Sequence, residues 1–281
     1  MPKKNILVIG RASSGKTHFA GQLYGRLREP ESSLKINGTP ENLEMLGEVF
    51  EALSEGKASA HTVTETWDSL KLPLIDENSK EFDINWPEYA GEQWDTIFST
   101  RSLNERWRNK LDDSNKWLII IRVENEPTFP DFLEKLSNNE KPEKNHESPN
   151  SIGWDANAYW VEKLQILLQL SKIPIANKIE SPKVAVLLSC YDEVNTENAT
   201  PNDILEQRLP MLASYLVSNW DKDKLSIWGL SALGKELTKI SKDEGFINEG
   251  PETQGWIISP DETIDHKNSD LTLPIKWLLN D

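Results

Sequence analysis

"NILVIGRASSGKTHFAGQLYGRL" (residues 5–27) decides how this chain folds. "NILVIG" (5–10) is a short, β-branched apolar run that ends on glycine, the pattern of a buried strand. "KTHFAGQLYGRLRE" (16–29) sets Phe19, Leu23 and Leu27 four apart, which gives a helix one apolar face. Between them lies "GRASSGKT" (10–17): a glycine, four variable residues, then Gly-Lys-Thr. Two glycines, a lysine and a hydroxyl residue at that spacing arise by accident in about one chain in a hundred of this size. The strand before and the helix after are the context in which such a loop holds phosphates.

The physical reasons are direct. Gly10 lets the chain turn sharply off the strand, and Gly15 lets backbone approach a phosphate with no Cβ in the way. The N–H groups of Ser13, Ser14, Gly15 and Lys16 form an anion nest at a helix N-terminus. Lys16 would reach β- and γ-phosphates, and the Thr17 hydroxyl would ligate Mg²⁺. A Gly/Ser-rich helix entry with an exposed lysine would not explain why Lys-Thr falls where it does. Arg11 sits beside the loop, as a phosphate contact in cis or a solvent-facing residue.

Further along, "TPENLEMLGEVFEAL" (39–53) reads as a helix, with Thr39 as N-cap and Pro40 at its first position. "TWDSLKLPLI" (66–75) and "KEFDINW" (80–86) read as a strand hairpin around "DENS". "GEQWDTIFSTRSLNERWRNKL" (91–111) looks helical, and "KWLIII" (116–121) is a buried strand. "SNNEKPEKNHESPNS" (137–151) is polar and without periodicity, within a segment at 124–155 that reads as a solvated insertion. Then come a helix at 157–173, a strand at 183–190, a helix at 203–220 with Pro210 as a kink or restart, a strand at 224–231 and a short closing helix.

Strands thus alternate with helices. The expected fold is α/β: a mostly parallel sheet with one antiparallel strand and helices on both faces, in one domain over residues 1–281 with insertions at about 30–60 and 124–155.

Composition narrows the function. The net charge of −15 repels nucleic-acid backbones and anionic lipid, so neither is an expected partner. One cysteine, Cys190, permits no disulfide within the chain and fits a reducing compartment. No apolar run reaches the length of a membrane span and no signal-peptide pattern opens the sequence, so a cytoplasmic location is expected. Eleven Trp exceed ordinary usage, and Trp86, Trp94 and Trp107 serve either the core or a protein partner.

The base is read from two strand ends. Guanine presents an N1–H and an amine, and an ionised aspartate accepts both; adenine has no donor at that ring nitrogen. "VAVLLSCYDEV" (184–194) places Asp192 just past a strand. "SIWGLSALG" (226–234) ends the next strand at Ser231, Ala232 and Leu233, whose backbone N–H groups can bond guanine O6.

With these residues in place, the chain resembles the Ras-like P-loop GTPases of the TRAFAC class. Their ordered motifs match "GRASSGKT", a threonine near 62, "EYAGEQ" (88–93), "SCYD" (189–192) and "SAL" (231–233). More narrowly, "LSEGKASAHT" (53–62), "AGE" (90–92), "SALG" (231–234) and "DLTLPIKWLL" (270–279) resemble the bacterial double-GTPase group of conflict and defence gene islands.

The resemblance implies Ras-like topology, GTP or GDP with Mg²⁺ as ligands, and a protein effector or another component of the same system as partner. It implies Thr62 or Thr64 in switch one, with Thr62 the better fit, and Glu88 and Gly91 in switch two. Glu88 and Thr62 would join Thr17 at the metal. Glu92 or Gln93 would orient water beside Lys16, unless both are ordinary first-turn residues of the following helix. The chain departs from the pattern at Glu88, where the group has Asp, and at Ser189 and Cys190, where it has Asn/Thr and Lys. Three functions fit: a slow GTP-hydrolysing switch, a nucleotide-binding adaptor with little hydrolysis, or a P-loop ATPase or kinase.

Overall fold

A computed structural model describes residues 5–29, 32, 34–59, 69–87, 97, 99–128, 155–174, 177–196 and 198–280. In chain order its main elements are β1 (Asn5–Gly10), α1 (Lys16–Leu27), β2 (Lys35–Ile36), α2 (Glu44–Ser54), β3 (Ser69–Ile75), β4 (Glu81–Pro87) and α3 (Glu105–Asp112). They continue as β5 (Ser114–Ile121), α4 (Ala156–Leu170), β6 (Lys183–Ser189), α5 (Pro201–Arg208), α6 (Pro210–Asn219), β7 (Leu225–Ser231), α7 (Glu244–Glu249), β8 (Trp256–Ile258) and α8 (Leu273–Leu279).

The eight strands form one sheet in the order β2-β3-β4-β1-β5-β6-β7-β8. β4, β1, β5, β6 and β7 pair in parallel, and the expected hairpin β3–β4 supplies the antiparallel pairing. Two short strands extend the edges: β2 pairs antiparallel with β3, and β8 with β7.

Residue alternation on the central strands divides the core in two. Leu7, Ile9, Trp117, Ile119, Ile121, Val184, Val186 and Leu188 face one side, where they meet Trp107, Trp160, Leu164, Ile204 and Leu212 of α3 to α6. Ile6, Val8, Leu118, Ile120, Ala185 and Leu187 face the other, against Phe19 and Leu23 of α1 and Ile275 and Leu278 of α8. With both faces covered, the middle strands are apolar through their central residues, which is why they read as hydrophobic runs.

Helix boundaries follow local chemistry. Asn104 caps α3 by accepting from Trp107 N at 2.9 Å, and Asp155 caps α4 by accepting from Asn157 N at 2.9 Å. Thr200 and Asp203 form a reciprocal capping box at α5. Pro210 is a restart, since it opens α6 after α5 has ended. The buried Lys183 ammonium donates to the carbonyls of Trp277 (2.7 Å) and Asn280, closing the C-terminus of α8.

Two expectations change. The helix anticipated from Thr39 begins at Glu44 instead, because Asn37 N and Glu41 N donate to Pro73 O and Lys71 O of β3 at 2.8 and 3.1 Å. Sheet-edge bonding there overrides the local cap signal. The helical reading of 91–111 is interrupted: residues 97, 99 and 100 are helical, residues 101–104 are not, Arg101 has φ 51°, and α3 starts at Glu105. Trp86 and Trp107 are core residues, 2% and 3% exposed, so neither offers its ring to a partner; Trp94 lies outside the described residues. Among the described residues, no helix is long and apolar enough to cross a membrane.

Candidate functional site

The loop from Arg11 to Gly15 leaves β1 and enters α1. Gly10 is required by space: a Cβ there would sit 2.7 Å from Ile120 O and 2.8 Å from Ser14 Oγ. Gly15 is required by conformation, at φ 79°, with nothing nearer than 3.8 Å to a built Cβ. Ser13 also takes a left-handed φ of 59°. Such positive-φ residues beside right-handed ones turn successive N–H groups toward one concavity. The Lys16 ammonium arches back across the loop, donating to Gly10 O at 3.0 Å and to Arg11 O, with Ser14 Oγ 3.3 Å away. A cation is thus held at the mouth of a concave array of N–H groups, an arrangement that fits a polyphosphate. Thr17, second residue of α1, is half-buried.

Next to Thr17, His18 Nε2 accepts from Ser59 N at 3.1 Å. Residues 57–59 are thereby fastened beside the start of α1, just before the threonines singled out in the sequence. Thr62 and Thr64 themselves lie outside the described residues, as do Glu88, Gly91, Glu92 and Gln93.

The second half of the site is built on β6 and β7. Ser189 Oγ, fully sheltered, donates to Ser14 O at 2.8 Å, which joins the end of β6 to the phosphate loop across 175 residues of chain. Cys190 then turns left-handed (φ 51°) into a single turn of 3₁₀ helix, Tyr191–Glu193, with Asp192 half-exposed at its centre. The turn is seated by Tyr191. Its ring lies so close to Gly229 of β7 that a Cβ there would meet Cδ1 at 2.8 Å, and it packs edge-on against Trp256 with centroids 6.3 Å apart.

The adjacent strand end carries Ser231, Ala232 and Leu233. Ser231 is 1% exposed and its hydroxyl accepts from Gly234 N at 2.9 Å, which fixes the loop's first bend. Behind it stands Gly255 at φ 91°, where any Cβ would run into Ala232 O. Gly255→Ala is therefore expected to destabilise the fold by about 2–3 kcal/mol, since both strain and a backbone clash are imposed. Urea unfolding checks this, and an unchanged midpoint would contradict it.

Sequence reasoning missed Gly229, Tyr191, Trp256 and Gly255 as supports. Gly229 within "SIWGLS" carried a signal, because a glycine inside a strand marks a close approach. Arg11, about one-third exposed at its side chain, is engaged within the protein. Its guanidinium is paired with the sheltered Glu126 at 2.8 Å and lies 4.3 Å from the centroid of Tyr159 on α4. A cavity of about 260 Å³ opens on this flank, with Ala12, Ser13 and Ser14 on one side and Arg122, Asn125 and Glu126 on the other.

Burial pushes the Cys190 thiol up to about 12; the Arg122 charge opposes the rise, while Glu193, Asp192 and Glu236 add to it. At pH 8 only about one molecule in ten thousand would then carry the thiolate, the reactive form. Alkylation by iodoacetamide is expected to be slow and to climb about tenfold per pH unit from 7 to 10. A plateau near pH 9 would contradict the sheltered placement of this side chain.

Among the described residues, no three His, Cys, Asp or Glu side chains cluster as a metal site. A hydroxyl such as Thr17, working with phosphate oxygens, needs no such cluster.

Comparison with known proteins adds the following. A family model described as Double-GTPase 1 matches residues 7–278. No curated protein matches the sequence. Among solved structures, the chain is similar to a bacterial selenocysteine-specific elongation factor, at 12% identity and TM-score 0.36, over 83% of this chain and 26% of that one. It is similar to the signal recognition particle receptor SRb-GTP/SRX complex from Chaetomium thermophilum, at 13% identity and TM-score 0.41, over 85% and 94%. It is also similar to the Arl6 BBS3 small GTPase from Trypanosoma brucei, at 11% identity and TM-score 0.39, over 90% and 99%. The chain spans about a quarter of the elongation factor's length.

Proposed function

The chain belongs to the Double-GTPase 1 family, and on that premise we propose that it is a GTP-binding switch that hydrolyses GTP slowly and signals to a protein partner. One observation carries the reading: the Ser189 hydroxyl donates to Ser14 O, which joins the phosphate loop to the strand end from which the turn bearing Asp192 leaves. A nucleotide whose phosphates lie on residues 10–17 has its base directed to the ends of β6 and β7. There Asp192 accepts the two guanine donors, and the backbone N–H groups of Ser231, Ala232 and Leu233 face O6.

In this reading each residue has a stated task. Gly10, Ser13, Ser14 and Gly15 cradle the phosphates and Lys16 neutralises charge at the β- and γ-positions. Thr17, Thr62 and Glu88 would hold Mg²⁺, which would neutralise phosphate charge. Gly91 senses the terminal phosphate, and Glu92 or Gln93 orients water. The partner is a protein effector or another component of the same system, and the setting is the bacterial cytoplasm and a defence role. The charge of −15 disfavours nucleic acid and anionic membrane as partners.

The second reading, an adaptor that retains nucleotide with little turnover, is favoured by Glu88, by Cys190 and by the glutamate rather than glutamine after Gly91. Purified protein given GTP and Mg²⁺ separates the two. Steady phosphate release supports the switch and removes the adaptor; tight retention with no release does the opposite. A kinase reading would need arginines that close over the phosphates. Arg101 is instead paired with Glu162, and Arg108 is exposed on α3.

A further inference from the structure

β5 lies between β1 and β6 in the sheet, with Ile120 opposite Gly10 and Ile121 opposite Leu188. The residue that follows β5, Arg122, therefore emerges between two loops. One is the phosphate loop, which leaves β1 after Gly10. The other is the 190–193 turn, which leaves β6 after Ser189.

The Arg122 guanidinium is committed in that position. Nε donates to Glu193 Oε2 at 3.0 Å and Nη2 donates to Glu193 Oε1 at 2.5 Å. The same side chain lines the flank cavity together with Ala12, Ser13 and Ser14. The pair is sheltered, with side chains 26% and 19% exposed. A two-pronged pairing fixes the rotation of the carboxylate as well as its distance, which a surface ion pair does not. Glu193 directly follows Asp192 in a turn of only three residues, so holding one orients the other.

Cys190 opens the same turn, beside Gly15. Its sulfur lies 3.9 Å from where a Cβ on Gly15 would be, and its side chain ends there. The positive charge of Arg122 reaches this thiol, where it opposes the effect of burial.

We infer that Arg122 is a positioning residue for guanine recognition: fastened to Glu193 from the end of β5, it holds the turn carrying Asp192 in place beside the phosphate loop. The inference rests on Asp192 as the base reader.

The test is displacement of fluorescent GDP from the full chain, with Mg²⁺, by GDP and by IDP. IDP lacks the exocyclic amine and so reports on the second oxygen of Asp192. Arg122→Ala is expected to weaken GDP about tenfold or more and IDP less, so that the preference shrinks. Glu193→Gln, which keeps the shape but loses the charge, should shift both in the same direction by a smaller factor. Cys190→Lys in the Arg122→Ala background supplies a long cationic stem from the start of the same turn and should recover most of the loss. Unfolding of each nucleotide-free variant within about 2 °C of the parent shows that the fold is intact.

The inference is overturned if Arg122→Ala leaves GDP within about twofold, or weakens GDP and IDP equally, or gains nothing from Cys190→Lys. Should Arg122→Ala fail to fold, Glu193→Gln decides by the same ratio. A parent protein that prefers neither GDP nor GTP over adenine nucleotides removes the base assignment as well, an outcome distinct from normal selectivity with a silent Arg122→Ala.

Discussion

Lys16→Ala is expected to abolish phosphate release from GTP, by a factor of about 10² to 10³ or more. The reason is electrostatic. A triphosphate packs several negative charges into the concavity between Ser13 and Thr17, and the Lys16 ammonium is the cation already stationed there by its bonds to Gly10 O and Arg11 O. Removing it leaves the N–H groups of the nest but no full positive charge near the terminal phosphate. The fold should survive, because the bonds it releases are to Arg11 O, which is partly exposed, and to the buried Gly10 O, at a combined cost of about 1–3 kcal/mol. Single-turnover phosphate release, run beside urea unfolding of the nucleotide-free protein, separates the two effects. Retained turnover in Lys16→Ala would mean that chemistry occurs elsewhere.

Asp192→Asn is expected to produce the second largest effect. An aspartate offers two acceptors to the N1–H and amine of guanine, whereas an asparagine offers one acceptor and one donor. The donor then faces the guanine amine, and affinity for GDP should fall about a hundredfold. Xanthosine diphosphate has a carbonyl where guanine has the amine, so its affinity should rise in the variant. The residue is half-exposed on a turn pinned by Tyr191 and by the Arg122–Glu193 pair, so the substitution need not disturb packing. Displacement titrations with both diphosphates give the answer. Equal affinities in parent and variant would show that Asp192 does not touch the base.

These expectations rest on parts of the molecule that differ in how readable they were. β1, the phosphate loop and α1 are contiguous, and their chemistry is local: an apolar run, glycines at required positions and a helical apolar stripe. The central strands were equally plain because both of their faces are covered, so each carries a run of four or more consecutive apolar residues. β2 and β8, of two and three residues, are too short to show any period and exist only through their partners Ile75, Leu74, Gly229 and Leu230. The same holds for the site. Ser189 and Ser231 could be placed at strand ends from the sequence alone. That Ser189 bonds Ser14, that Tyr191 needs Gly229, and that Arg122 grips Glu193 are contacts between distant residues, which no local pattern encodes. Arg11 makes the point sharply. Its partner Glu126 lies 115 residues away, just past the single turn that follows β5, so the guanidinium is already engaged within the protein.

The central claim is that one site holds phosphates at residues 10–17 and reads guanine at Asp192. Competition of GTP and ATP for a single labelled nucleotide on the purified chain tests it most directly. GTP should displace the label at concentrations about a hundredfold or more below those needed for ATP, because adenine leaves both oxygens of Asp192 unpaired. Displacement by ATP at the same concentration as GTP would contradict the account.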